Sequence, residues 1–161
     1  MNDENNNPPP EFDAVMLRQC TADMKANGGF VWPREGLVTA PDWNPEAVCG
    51  QGLHGWLNGE GDPNVSPVWG SDDAVWLVAR VVSTEAVNVN GKIKVPRAWV
   101  TLAGTKDEAT AEVYRLCGMK SVIAGTATAG YAGTATVGHS GTATAGNCGT
   151  ATAGDYGTAT V

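Results

Sequence analysis

Residues 125–161 read GTATAGYA GTATVGHS GTATAGNC GTATAGDY GTATV, an eight-residue unit repeated in unbroken phase, with the last copy stopping after five residues. On a strand the first five positions of a unit alternate. Thr126 and Thr128 then share one face, and Gly125, Ala127 and Ala129 share the other. A face of Gly and Ala alone suits a thin interior where two strands approach closely, so the threonines point outward. One unit is too short to close a coil. Two units can, with a strand on each side and a turn at each end. The pattern predicts a short parallel β-solenoid of sixteen-residue coils rising about 4.8 Å per layer. Thr126 and Thr128 then stack with Thr142 and Thr144, and these with Thr158 and Thr160. Thr134 and Thr136 stack with Thr150 and Thr152 on the opposite side. Gly130, Gly138, Gly146 and Gly154 open the turns, where positive φ is expected. The competing reading is a disordered low-complexity tail, since Gly, Ala and Thr bury little apolar area. Threonine held at two positions in every unit favours the solenoid.

Composition divides the 161-residue chain into three parts. Residues 1–10, rich in Asn, acid and Pro, read as a disordered tail. Residues 11–120 carry all ten Lys and Arg and all six Trp. Residues 121–161 carry no Lys or Arg and a single acid, Asp155. The boundary is placed between Gly118 and Ser121. The chain has 21 Gly, 9 Pro and only 17% charged residues, which points to a turn-rich, mostly β protein. A net charge of −7 argues against nucleic acid as a partner, because phosphates call for a basic face. No apolar run is long enough to span a membrane. The polar, acidic start lacks the basic and apolar regions of a secretion signal, so a cytoplasmic location is expected. Cys20, Cys49, Cys117 and Cys148 form no CxxC pair. Reduced thiols are expected, and the spacing leaves one disulfide open.

The middle part reads as a small α+β domain. Phe12 to Lys25 is assigned a short helix with Phe12, Val15, Met16 and Leu17 as a partial apolar face. Gly28 to Trp69 reads as a long loop system, and Val75 to Val82 as a strand. Ala86 to Val89 and Lys92 to Val95 pair as a hairpin across Asn90-Gly91, a dipeptide suited to a type I′ turn. Ala98 to Leu102 is a further strand. A helix follows, capped by Thr105, with Asp107 and Glu108 in its first turn, Ala109, Val113 and Leu116 as its buried stripe, and Gly118 ending it.

Candidate ligand-binding residues are few. Cys49 and His54 are the one thiol–imidazole pair close in sequence, and Glu60 and Asp62 follow in a Gly-rich loop. A metal site or a Cys–His nucleophile would need more ligands or a tighter grouping. No metal, cofactor or catalytic residue is assigned, and His54 is expected to be structural. The tryptophans, including Trp32, Trp43, Trp56 and Trp69, are read as core rather than as a ligand platform. Lys92, Lys94 and Arg97 are read as a solvated basic strand.

The units AGYAGTAT (129–136) and AGDYGTAT (153–160) resemble the octapeptides of bacterial ice nucleation proteins. That resemblance implies sixteen-residue coils with Thr-x-Thr rows and an ice-binding or water-organising surface. Two departures limit it. Those proteins have dozens of coils, and their turns repeat Tyr in a ladder, whereas here Tyr131 would stack with Asn147 and Tyr156 with Ser140. A second resemblance is to phage and actinobacterial proteins in which a CGxGLHG domain precedes GTATAG repeats. It rests on Cys49-Gly-Gln-Gly-Leu-His-Gly55, Gly59-Glu-Gly-Asp62 and Lys92-Ile-Lys-Val-Pro-Arg97, and it implies no activity. The Gly-Leu-His fragment loosely resembles ADP-ribosyltransferase-like folds, which would give His54 a nucleotide and Glu108 or Glu112 a late catalytic part.

The leading expectation is a non-enzymatic structural or interaction protein that self-associates through the repeat, with a dimer favoured. Val161 would leave the last coil with unpaired backbone groups, and such an edge recruits another strand. The alternatives are a water-organising repeat protein and a nucleotide-binding module upstream of the repeat.

Overall fold

Ala14–Cys20 is a strand, β1, and not the helix that Phe12, Val15 and Met16 suggest. Its side chains alternate between two apolar layers. Val15 and Leu17 enter one layer, and Met16 and Cys20 enter the other. A strand buried on both faces shows a continuous apolar run, and a short run of that kind has no period to separate it from a helix. The computed structural model describes residues 7–118 and 122–161. The expected tail at 1–10 and the module boundary at 118–121 therefore lie partly outside the described residues.

The region expected to be loop from Gly28 to Trp69 contributes two strands, β2 (Gly36–Thr39) and β3 (Leu53–Leu57). Gly and Pro around them hide their short apolar runs. β4 (Val75–Val81), β5 (Val87–Val89), β6 (Lys92–Val95) and β7 (Arg97–Gly104) match the expected strands within a residue or two. Asn90 and Gly91 take φ of 34° and 83°, the left-handed pair that a tight hairpin requires. The seven strands form one antiparallel sheet in the order β2-β7-β4-β1-β3-β6-β5.

The helix α1 (Lys106–Cys117) lies on one face of this sheet. Thr105 and Glu108 cap it reciprocally. The Thr105 hydroxyl accepts the Glu108 N–H, and the Glu108 carboxylate accepts the Thr105 N–H at 2.8 Å. Gly118 closes it at φ 57°. Ala109 and Val113 are fully buried against Val15, Leu17, Trp56, Trp76 and Val78, while Leu116 is partly buried. The other face packs Met16, Leu77, Val81, Val95 and Val100 under Met24 and Trp32 from the loops.

Val122 to Ala124 join the α1 layer, so the start of the repeat is seated in the same apolar cluster. The Ile123 N–H donates to the Gly59 carbonyl at 2.9 Å, the Gly138 N–H to Val122, and the Ala124 N–H to His139. From this seat five short strands follow: β8 (Thr126–Ala129), β9 (Thr134–Val137), β10 (Thr142–Ala145), β11 (Thr150–Ala153) and β12 (Thr158–Thr160). β8, β10 and β12 pair in parallel, with Thr126 opposite Thr142 and Thr142 opposite Thr158. β9 and β11 pair in parallel on their own, with Thr134 opposite Thr150. The molecule is therefore mostly β, with one antiparallel sheet, one α-helix and two small parallel sheets among the described residues.

Ala135, Val137, Ala143 and Ala145 are buried between the two parallel sheets. The glycines act here differently from the sequence expectation. Gly130, Gly138, Gly146 and Gly154 do not take positive φ. The left-handed residues are Ala132, Ser140, Cys148 and Tyr156, at φ between 55° and 62°, each the last of its unit. The glycine that follows is held by space instead. A Cβ at Gly149 would sit 2.8 Å from both the Ala145 Cβ and the Gly133 carbonyl oxygen.

This packing predicts an asymmetry between the two kinds of repeat position. Ala143→Leu forces three added carbons into a filled interior and should destabilise the chain by about 1–3 kcal/mol. Thr142→Val, on the exposed face, should stay within about 0.5 kcal/mol of the parent. Urea unfolding of the two variants checks this, and equal losses would refute the packing.

Candidate functional site

Two regions of the surface carry the chemistry available to this chain. The first is a cleft in the upstream sheet. β1 pairs with β4 along its whole length, from Ala14 opposite Val81 to Cys20 opposite Val75. Its other edge pairs with β3 only at Met16 and Leu17. The opposite edge of β3 pairs with β6, Leu53 opposite Val95 through Gly55 opposite Ile93. β1 and β3 thus part at Gly55. A Cβ there would lie 2.5 Å from Met16 Cγ and 2.7 Å from the Leu17 carbonyl oxygen, so only glycine lets β3 approach β1 this closely before diverging.

The fork opens into a cleft of about 570 Å³. Arg18 and Gln19 from β1, His54 from β3, Lys92 from β6 and Trp32 line it, together with Cys49 and the glycines around residue 50. Arg18 holds the fork open from inside. Its Nη1 donates to the His54 carbonyl, and its guanidinium lies 4.8 Å from the centroid of the Trp32 ring. Burial lowers the Arg18 pKa, yet a guanidinium remains cationic at neutral pH. Burial is also the main cause that pulls the His54 imidazole down to about 4, with the positive charges of Lys92, Arg18 and Lys94 adding to it. His54 is therefore neutral at physiological pH. Three polar atoms of the lining residues are buried without a hydrogen-bond partner: Arg18 Nε, Gln19 Oε1 and His54 Nε2. Each such group costs about 1–3 kcal/mol when left unpaired.

The four residues singled out as ligand candidates separate. Cys49 and His54 both line the cleft, and the Lys92 ammonium lies 3.3 Å from Cys49 Sγ. Asp62 is used structurally. Its carboxylate accepts the Asn64 N–H at 2.9 Å, and its carbonyl accepts the Trp56 indole N–H. Glu60 is exposed, and its charge helps raise the Cys117 thiol pKa after burial has done most of that. Glu108 is held in the helix cap, and Glu112 pairs with Arg115 at 2.6 Å; neither lines the cleft. Among the described residues no group of three or more His, Cys, Asp or Glu side chains could hold a metal ion. All four cysteines are free thiols.

The basic strand is not solvated as expected. Lys94 is completely buried, donating to the carbonyls of Val48 and Gly50 at 3.0 and 3.4 Å and facing the Trp43 ring. Arg97 pairs with Glu85 at 3.0 Å. Lys94 thereby ties the Cys49 loop down over β6. No local signal marks Arg18 or Gln19 as site residues, because they lie inside a segment expected to be a helix. Their placement on a strand that loses one neighbour is what exposes them to a cleft.

The second region is the repeat surface. Thr126, Thr128, Thr142, Thr144, Thr158 and Thr160 are exposed in two columns on one side. On the other side Thr134, Thr150 and Thr152 are exposed and Thr136 is half-buried. Within a strand, alternate residues lie roughly 7 Å apart, and between strands neighbours lie about 4.8 Å apart. The upstream part and the repeat meet through aromatic rings. Trp69 touches Trp56, Trp76 and His139, and His139 packs on Tyr156 with ring centroids 5.3 Å apart.

This chain is similar to ice nucleation proteins. It is 39% identical over 101 residues to ice nucleation protein InaU of Pantoea ananas, covering 62% of this chain and 10% of that protein. It is 39% identical over 101 residues to an ice nucleation protein of Enterobacter agglomerans, covering 8% of it. The match to an ice nucleation protein of Xanthomonas campestris pv. translucens is 33% over 97 residues, covering 59% of this chain and 6% of that protein. The chain thus spans a tenth or less of the length of these curated relatives. The aligned stretch is longer than residues 125–161, so it reaches upstream of the repeat. No protein-family model and no solved structure matches the chain.

The depressed His54 pKa has a consequence for stability. The unfolded chain binds a proton near pH 6.5 and the folded chain only near pH 4. Stability on this account is full above about pH 6.5 and falls as the pH drops toward 4, because protons favour the unfolded state. His54→Gln should flatten that slope. Urea midpoints at pH 7.5 and 4.5 for both proteins measure it, and an unchanged slope in the variant would assign the acid loss to other groups.

Proposed function

We propose that residues 125–161 are coils of a parallel β-solenoid, sixteen residues per coil, whose outward threonine rows organise water as an ice-nucleation-like surface. The observation that carries this is the register. Thr126, Thr142 and Thr158 stand opposite one another, as do Thr128, Thr144 and Thr160, and all six are exposed. Each pair of columns is a flat, regularly spaced lattice of hydroxyl and methyl groups on a hydrogen-bonded sheet. A rigid array of that kind can hold bound water in a repeating arrangement without itself reorganising. The similarity to ice nucleation proteins over three-fifths of the chain supports the same reading.

Area sets the expected size of the effect. Three strands and two threonines per strand give a patch of roughly 7 by 10 Å, far below what templates a crystal by itself. Ordering is therefore local in one copy and grows if copies join. Association through the repeat remains the companion proposal. The rows carry no Lys or Arg to repel a second copy, and a two-fold contact between like rows would close as a dimer. Tyr131 and Tyr156, both largely exposed, offer the apolar area for such a contact.

Droplet-freezing spectra and thermal hysteresis test the water-organising reading. The parent chain should show a small effect, and the variant Thr142→Lys/Thr144→Lys, which breaks the middle of the row, should lose it while keeping its melting temperature. Identical freezing behaviour in the two would sink the proposal. Light scattering on the same samples tests association: a monomer throughout the micromolar range would remove the dimer without touching the water-ordering reading.

A further inference from the structure

The upstream sheet contains a site that the repeat's function does not use. We propose that the cleft at the β1–β3 fork binds a small ring-bearing phosphate of the mononucleotide class.

Four observations converge on it. The first is shape. At about 570 Å³ the cleft lies within the range of small-molecule sites and is concave between two diverging strands. The second is charge. Arg18 and Lys92 line it, Asp42 is the one carboxylate among the described lining residues, and Lys94 stands buried beneath the Cys49 loop. The chain as a whole is acidic at −7, so this local excess of positive charge runs against the background. The third is unmet hydrogen bonding. Gln19 is 6% exposed and its Oε1 has no partner, nor do Arg18 Nε and His54 Nε2. Buried polar groups are ordinarily paired, and unpaired ones concentrated in a single cleft mark a place where a ligand or water completes the set. The fourth is the wall. Phe30, Trp32 and Leu53, from one apolar layer, line the cleft and give a flat ring apolar contact.

The donor and acceptor types select the ligand class. Arg18 supplies only donors, as does the Lys92 ammonium, which lies 3.3 Å from Cys49 Sγ, so both favour an oxyanion. Gln19 Oε1 accepts and therefore needs an N–H or O–H from the ligand. Neutral His54 bonds the Gly52 backbone through one ring nitrogen, which leaves the unpartnered Nε2 as a second acceptor. A bare anion leaves the acceptors and the aromatic wall unused, and an uncharged ring leaves the cations unused. A ring, a polar linker and a phosphate in one molecule use all of them. Glu108 and Glu112 do not line the cleft, so the proposal is of binding and includes no reaction.

The test uses the full chain and four probes, AMP, GMP, CMP and UMP, with inorganic phosphate and the parent nucleosides as controls. Binding is read from tryptophan fluorescence, since Trp32 and Trp56 line the cleft, and from the His54 imidazole resonances. The expected result is saturable binding of at least one nucleotide, at least about tenfold tighter than its nucleoside, with a shift of the His54 signals. Lys92→Gln should weaken the nucleotide about tenfold and leave the nucleoside unchanged, and its melting temperature should stay that of the parent. Arg18→Lys, which keeps the charge but removes the fork, should also weaken it. Three results would overturn the proposal: no saturable response to any of the four nucleotides at millimolar concentration, equal affinity for nucleotide and nucleoside, or binding that survives Lys92→Gln unchanged while His54 remains unperturbed.

Discussion

Backbone pairing at a sixteen-residue offset is the constraint on which the repeat depends. Gly, Ala and Thr remove little apolar area from water, so their burial cannot hold five short strands together by itself. What holds them is that each buried N–H and carbonyl must find a partner, and the layer above or below supplies it. The Thr142 N–H reaches Gly125, Thr158 reaches Gly141, and Thr150 reaches Gly133, each at 2.9 Å. The first layer has no repeat beneath it. At the turn after β9, Gly138 and His139 bond to Val122 and Ala124 instead, and these are fixed because Val122, Ile123 and Ala124 sit in the apolar cluster with α1 and the central strands. The upstream sheet is thus the foundation on which the layers are laid.

The interior of the repeat was legible because it has a period. Thr at two positions per unit and Gly or Ala between them leave one arrangement of faces and one offset that stacks like on like. The Asn90-Gly91 hairpin and the Thr105–Glu108 cap were legible for a related reason. Each is a local rule in which a few adjacent residues decide the backbone. β1 was not legible, since Val15, Met16 and Leu17 are apolar on both faces and the choice between strand and helix was made by β4 and β3, far along the chain. The turn conformation was misplaced as well. Glycine was expected to take the left-handed residue, but the structure gives that angle to Ala132, Ser140, Cys148 and Tyr156 and uses the next glycine to admit a neighbouring backbone.

The cleft was half legible. Cys49 and His54 stood out as an unusual pair and do share a wall, but nothing in the spacing of Glu60 or Asp62 showed that one would face away and the other would cap a turn. Arg18, Gln19 and Lys94 carried no local signal at all. Their environment is created by tertiary geometry: Gly55 brings two strands close enough to start a pairing and the sheet then divides. Lys94, read as a solvent-facing lysine, is instead a buried strut whose ammonium is satisfied by two carbonyls of the loop that carries Cys49.

The left-handed residue at the end of each unit bears on how the molecule assembles in time. A non-glycine side chain in that conformation is uphill by about 1–2 kcal/mol, and this strain recurs at every corner from Ala124 to Tyr156. Nothing local offsets it. The offset comes only when the strand after the corner settles on one already in place. A detached stretch of repeat therefore has no reason to bend in this way, and nucleation in the middle is disfavoured. Each corner therefore depends on a neighbouring layer to hold its angle, and the order of the threonine lattice passes from layer to layer, starting at the residues anchored beside α1.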